Sequence, residues 1–594
     1  MAYPGDVLGP ITYPGEDGAG SGAEDYSVII GGHEAKDYLL GTITLTRGRQ
    51  GEGAIQPSIL TFAVDNSDAR FTPGGTGAWS ADVMRGATVT AYASGVRRFT
   101  GTVATVALSW PHGVDLIASA TITCADVSAN WSEPIESLYH EWIKACHPLL
   151  WWPLTESNAP ALEIAQGDYA NRLVPRVIGE GTVDMLNWGG ATGHPADEAA
   201  SLLVDNLLTV SGAFLESVSA LDYDPSIPNV VVTLVVNTRD VDLPVLTLED
   251  GGFVSQAVQG VSRFDIYRGT TEDAAGNIGY GWAPASPPSS TGVLMMPMRT
   301  PDVIGCKVRV GAGHKLTDWD TTVVTRDGSF AHLAILPAVA PFSTYPLPYR
   351  PPTTAAGPVS DKIEYLTGLV LGDPAEVVVS GAEPVVAHLP QSGASIADVL
   401  SRWSEGTGSR WVIDPSGRVS WVASNGGERV TISAEWLSPS SAPVIDGQGV
   451  ANTVDLTLPS GQVWTYTTGA QPIVRRAMVG AFGDTARSKA LAQWVANMPD
   501  GVRLPTAEFD LLTIPLDQAM VVAALNIGDR LSITDLPTQM PDPTWTGVVE
   551  GATETWGSGA WSVAYSLTPD FRTAMWTLDH PTLSQLDAGN RLGF

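Results

Sequence analysis

Gly86-Ala-Thr-Val-Thr-Ala-Tyr92, a short polar stretch, then Arg98-Phe-Thr-Gly-Thr-Val103: this pattern near one end of the chain returns near the other. There it reads Gly528-Asp-Arg-Leu-Ser-Ile-Thr534, a Pro-rich stretch, then Thr544-Trp-Thr-Gly-Val-Val549. Each copy is a glycine followed by an alternating strand, a loop, and an aromatic-Thr-Gly-Val that opens a second strand; period-two alternation is the mark of a half-buried strand. Two copies of one β-unit, far apart in one chain, present two equivalent surfaces per subunit and double the apparent symmetry of any ring built from them. The repeat points to a part of an assembly.

Working outward, residues 1–26 are rich in Gly and Pro, carry Asp6, Glu16, Asp17, Glu24 and Asp25, and read as an extended arm. Residues 27–131 hold short strands (Ser27–Ile30, Gly41–Thr46, Ser58–Val64, 87–93, 101–108, 115–124) punctuated by Gly, Pro and Asn, the spacing of a compact barrel or sandwich. Over 132–147 the spacing predicts a linking helix with Ser132 as N-cap and Ile135, Leu138, Tyr139, Trp142 and Ile143 on one stripe, stopped by Pro148. From 148 to 350 many short strands and no convincing long helix fit an inserted jelly roll, ending in the stiff connector Tyr345-Pro-Leu-Pro-Tyr-Arg-Pro-Pro352.

An α+β block follows over 351–440. Its helices are expected at 360–371 and 395–406, and its hairpin Arg410–Val422 turns at Asp414-Pro-Ser-Gly417. Residues 441–580 contain strands at 452–458, 463–467 and 508–514, a helix with Ala486, Ala490, Leu491, Trp494 and Val495 on its face, a short helix at 516–525, and the second copy of the repeat; 581–594 is a C-terminal tail. The fold class is mainly β with α+β segments: two related β-barrel modules plus an inserted sandwich. Since the α+β pattern resumes after the sandwich, the simplest topology is one host carrying an insertion.

Acids outnumber bases 63 to 32, a net charge of −31, which disfavours nucleic-acid or anionic-membrane binding by bulk electrostatics while leaving DNA as cargo that slides past an acidic wall without sticking. Three cysteines (Cys124, Cys146, Cys306) without CxxC spacing support neither a disulfide framework nor a zinc site. The start lacks a basic and an apolar region, so no secretory signal is expected, and the longest apolar run, Val230–Val236, is far short of the roughly 20 residues a membrane span needs.

Catalytic patterns are weak. Glu508/Asp510 and Asp318/Asp320 have the i, i+2 spacing that could pair two carboxylates on a strand, but no third acid accompanies them, and a solvated face explains both. Cys146 and His147 are adjacent, which points their side chains apart; no Gly-x-Ser-x-Gly elbow, metal-binding or phosphate-cradling motif occurs, and no cofactor is implied. His194 with Asp197 and Glu198 offers a single imidazole, a poor warrant for a metal. Most tryptophans (Trp142, Trp403, Trp411, Trp421, Trp494) are assigned to cores, whereas Tyr280 and Trp282, in a Gly- and Pro-rich stretch of the inserted block, are candidates for stacking on a sugar.

Four stretches, Leu60-Thr-Phe-Ala-Val-Asp-Asn-Ser-Asp-Ala-Arg-Phe-Thr-Pro73, 86–103, Ile396-Ala-Asp-Val-Leu400 through the 414–417 turn, and Ile527-Gly-Asp-Arg-Leu531 through Trp556 to Pro569, resemble the tail hub (tail-associated, baseplate hub-like) minor tail proteins of long-tailed actinobacterial phages. The resemblance implies a structural virion component at the tail tip: a homotrimer whose two barrels per subunit build a pseudo-sixfold ring, adapting the sixfold tail tube to threefold tip proteins and lining the DNA exit path. Its implied partners are the distal tail protein ring, the tape measure protein and other minor tail or tip proteins. The block opening Trp151-Trp-Pro-Leu154 resembles a laminin-G or concanavalin-like sandwich, which implies contact with host glycans, although the family's calcium-binding acids cannot be mapped onto it. Competing readings are a hexameric distal tail protein, which the second barrel echo disfavours, and, in a different class, a carbohydrate-active enzyme or a glycan-binding adhesin.

Overall fold

The computed structural model of the chain describes residues 26–49, 55–110, 118–156, 158–178, 328–337, 356–387, 393–444, 451–459, 462–469, 473–497, 502–557 and 559–570, with short pieces between 186 and 312 and at 575–576 and 591–592. The arm and most of the C-terminal tail lie outside the described residues.

The first repeat contributes strands β1 (Tyr26–Ile30), β2 (His33–Glu34), β3 (Leu39–Arg49), β4 (Ile55–Asp65), β5 (Thr88–Ala93), β6 (Val96–Ser109) and β7 (Ser119–Ala125). Alternation along them puts Val28 and Ile30, Phe62 and Val64, Val89 and Ala91, and Ala120 and Ile122 in the core. Helix α1 (Leu138–Ala145) follows, capped by Ser137, whose hydroxyl accepts from the His140 amide. The expected start at Ser132 is therefore five residues early. Residues 127–132 form a 3-10 turn instead, and Ile135 is extended, its amide donating to the Ala394 carbonyl. The stripe Ile135, Leu138, Tyr139, Trp142 and Ile143 is buried as expected.

The block expected as an insertion enters on Leu150–Trp152 and leaves on Gly328–Pro337, and these two strands pair antiparallel (Trp152 opposite Leu333, Leu150 opposite Ile335) as a stalk whose second strand also pairs with Asn229–Thr238 in the block's own sheet. Its strands form one six-stranded and one seven-stranded antiparallel sheet. The stalk is part of the host's core: Trp151, Ala331, Ala334 and Leu336 are buried in one cluster with α1, with helix α2 (Val359–Leu371), with helix α3 (Ile396–Thr407), and with the hairpin β8 (Arg410–Ile413) and β9 (Val419–Val422). A clean excision of 148–350 would strip these side chains, Trp151 alone costing about 3–5 kcal/mol. Replacing 153–332 by an Asn-Gly turn keeps the pairing of Leu150–Trp152 with 333–335, though it removes Asn229–Thr238 from the other edge of that strand. The second deletion is therefore expected to lower the midpoint of a thermal melt by less than the first, which should lower it by many degrees.

The α+β block folds as its local signals dictate. Ser395 and Asp398 form a reciprocal capping box at the start of α3, and Asp414 holds the hairpin turn by accepting from the Ser416 and Arg418 amides at 2.8 and 3.0 Å. Trp403, Trp411 and Trp421 are buried there, as is Trp142. Strand β10 (Arg429–Ser433) then leaves this block to join the second repeat's sheet. A separate three-stranded sheet (Thr453–Thr457, Val463–Thr467, Arg475–Val479) packs on helix α4 (Thr485–Ala496). That helix buries Ser488, Ala492, Val495 and Ala496; of the expected face only Val495 is buried, Ala490, Leu491 and Trp494 being half-buried and Ala486 exposed. At Ser488 the approach is close: a Cβ on Gly480 would lie 3.0 Å from its side chain.

The second repeat comprises β11 (Thr506–Asp510), helix α5 (Leu516–Ala523), β12 (Arg530–Thr534), β13 (Trp545–Gly557) and β14 (Ala560–Pro569). Its sheet order, β12-β13-β14-β11, is the order β5-β6-β7-β4 of the first repeat, antiparallel throughout in both. The agreement extends to single residues. Val89 pairs with Gly101 and Leu531 with Gly547, and in each case the aromatic two residues earlier, Phe99 or Trp545, lies where the glycine's side chain would be. Gly86 donates to the Val103 carbonyl and Gly528 to that of Val549, both at 2.8 Å. A one-residue bulge follows at Ala104 and at Glu550. The flanks differ: β1 runs antiparallel to β5, whereas β10 runs parallel to β12.

Candidate assembly site at the junction of the repeats

The two repeats are joined edge to edge. Strand β3 pairs antiparallel with β13, Ile43 opposite Trp556 and Gly48 opposite Gly551, so that all these strands belong to one twelve-stranded sheet over one shared core. The approach is close: a Cβ on Gly551 would lie 2.2 Å from the Arg49 carbonyl oxygen, and one on Gly48 2.5 Å from that of Glu550.

One buried ion pair crosses this junction and a second anchors it from the side. Arg98 of β6 donates to Glu554 of β13 from Nε at 3.0 Å and Nη2 at 2.7 Å, and Nη2 also reaches the Ala523 carbonyl at 2.7 Å. Trp561 Nε1 donates to the other Glu554 oxygen at 3.1 Å, and the Tyr565 hydroxyl caps the Val522 carbonyl at 2.6 Å. Burial disfavours the charged Arg98, but Glu554 more than compensates and raises its pKa; neighbouring Arg47, buried beside Arg98, has its pKa lowered by desolvation and by that like charge. The second pair ties the junction to the α+β block: Arg410 of β8 donates to Glu550 from Nη2 at 2.6 Å, and the Thr568 hydroxyl donates to the same oxygen at 2.7 Å.

Burial works against the Glu550 carboxylate, yet Arg410, the Thr568 hydroxyl and Arg49 outweigh it and hold its pKa below the ordinary value. A depressed folded pKa contributes stability that is complete above the unfolded value of about 4.3 and is lost as pH falls through the folded one. Urea unfolding should therefore show Glu550→Gln less stable than the parent at pH 7, with the gap closing as the pH falls below about 4.

None of the sequence candidates for chemistry converges here. Glu508 accepts from Ser440 and Asp510 from the Leu512 amide, so both acids serve loops. Cys146 is buried, its thiol pushed up to about 12 by desolvation, while the neighbouring His147 is exposed. Tyr280 sits on strand Ile278–Gly281 opposite Phe264; Trp282, His194, Asp197, Glu198, Asp318, Asp320 and Cys306 lie outside the described residues. Among the described residues no group of three or more His, Cys, Asp or Glu could hold a metal, and no helix is long and apolar enough to cross a membrane.

No protein-family model and no curated protein sequence matches the chain. Solved structures do. The tail protein from Neisseria meningitidis MC58 aligns over 92% of this chain and 96% of its own at 8% identity and a TM-score of 0.38. The 43 kDa tail protein of prophage MuSo2 from Shewanella oneidensis aligns over the same shares at 9% identity and 0.37, and the prophage tail protein gp18 from Listeria monocytogenes over 57% and 96% at 8% and 0.25. Likenesses this weak leave the architecture to be read from the chain's own strand order.

Sequence reading missed the junction's charged residues. The one signal was Glu554 itself, an acid between Ala552 and Trp556 on the core-facing side of an alternating strand.

Proposed function

We propose that the chain is a structural component of a phage tail tip, a hub whose three copies form a ring of six barrel-like units. The observation that carries this reading is the shared strand order of β4–β7 and β11–β14, with β3 bridging one repeat to the next. A junction of that kind, repeated between copies, closes a ring of six similar units with threefold true symmetry. Such a ring adapts a sixfold tube, with the distal tail protein ring and the tape measure protein on one side, to threefold tip proteins on the other. The net charge of −31 suits a channel through which DNA passes without adhering. On the same reading the inserted block is a jelly roll of laminin-G or concanavalin type, and Tyr280 and Trp282 are its candidates for stacking on host glycans.

Light scattering on the purified protein tests the stoichiometry. The expected mass is three times 62.5 kDa; six copies would favour a hexameric distal tail protein.

A further inference from the structure

The internal junction shows what is missing elsewhere on the molecule. Strand β13 has β14 along one edge; its other edge is shared by β12, over 545–548, and by β3, over 551–556. Strand β6 is built alike, with β7 along one edge over 102–109 and β5 on the other over 96–102. Beyond the bulge at Ala104, however, no strand among the described residues covers the second edge of β6. Counting on from the matched bulges, Ser109 (opposite Ser119) corresponds to Thr555 (opposite Ser562), and the next residues correspond as well: Trp110 to Trp556. Trp556 is 2% exposed at the β3 junction; Trp110 is 56% exposed.

We infer that the open edge of β6 over Val106–Trp110 is the surface that receives a second copy of this chain, and that Trp110 becomes buried there as Trp556 is within the chain. This rests on the ring reading above and names the contact through which the ring closes. The second copy contributes the matching place in its own second repeat, beside β11, which Ser438–Val444 occupies: Val444 exchanges backbone bonds of 2.8 and 2.9 Å with Arg503 and the Ser438 amide donates to the Glu508 carbonyl at 2.8 Å, with a turn between them that the Ser441 amide closes on the Ser438 carbonyl at 2.9 Å. With that amide spent and Pro443 having none, the main-chain pairing there is short, and burial of Trp110 supplies most of the contact. The contact starts beyond Thr105, which stands where the internal junction needs Gly551. The charged locks are not repeated: Leu108 occupies the place of Glu554 and Thr544 that of Arg98, so the two junctions are not interchangeable and copies join in one sense.

The test uses the full chain in two variants, Trp110→Lys and Trp110→Phe, with mass by sedimentation and hydrogen exchange by mass spectrometry. Because Trp110 is exposed in the single copy, Trp110→Lys should leave its melting midpoint unchanged while weakening association at least about tenfold, as loss of a buried aromatic anchor does; Trp110→Phe should retain most of it. Those amides of 106–109 that point away from β7 should exchange quickly in dilute single copies and slowly in the assembly, while the ones bonded to β7, and 551–556, stay protected in both. Protection of the outward amides already in the single copy would mean that the chain covers its own edge, and overturns the inference. Rings in which the outward amides still exchange quickly overturn it too, leaving the ring reading in place, whereas a single copy at every concentration overturns both.

Discussion

Glu554→Ala is expected to destabilise the folded chain by about 3–5 kcal/mol, the cost of leaving a buried charge without its partner. Arg98 is almost wholly buried, and its guanidinium has its ionic partner in Glu554; the Ala523 carbonyl alone does not neutralise it. Trp561 Nε1 would lose its acceptor in the same step. The double variant Arg98→Met, Glu554→Leu should recover most of the loss, because the penalty lies in the unpaired charge and not in the absence of the bond. Leu108 shows that the position tolerates leucine in the other repeat. Equilibrium urea unfolding of the two single variants and the double one measures the coupling; additive losses would show that the pair does not act as a unit.

Gly551→Val is the second large effect. Its Cβ would lie 2.2 Å from the Arg49 carbonyl oxygen and 3.0 Å from that of Arg47, both backbone atoms of β3, so relief requires the two strands to part. The expected cost is about 3 kcal/mol or more, at or beyond the usual range for overpacking. Exchange of amides 43–48 should accelerate in this variant. Thr105→Gly, the corresponding change in the first repeat, should cost the single copy only the roughly 0.5–1 kcal/mol of a glycine inside a strand, since the residue is exposed and, apart from Thr123 of β7, no strand among the described residues lies beside it.

The repeat itself was legible because each of its cues is local: alternation around Val89 and Leu531, a glycine that starts each unit, and an aromatic set two residues before a glycine it covers. The capping box at Ser395 and the turn at Asp414 were legible for the same reason. The junction was not. Strand β3 alternates like any half-buried strand, and nothing within Leu39–Arg49 says that its second edge meets β13 some five hundred residues on. The parallel addition of β10 to β12 and the burial of Arg47 and Arg98 are likewise products of long-range packing, which overrides local preference. The misplaced start of α1 has a smaller cause. Ser132 and Ser137 both satisfy the capping pattern, and the tie is broken by the Ala394 carbonyl, which draws the Ile135 amide into an extended segment.

Two equivalent units per chain predict a particle whose symmetry depends on where it is viewed. Class averages of the purified assembly, taken down its axis by electron microscopy, measure this directly. The expected result is an inner ring of six similar densities with three larger outer projections, one per inserted block, and true threefold symmetry. Six identical projections, or an inner ring of three, would contradict the reading that three copies stand in for six.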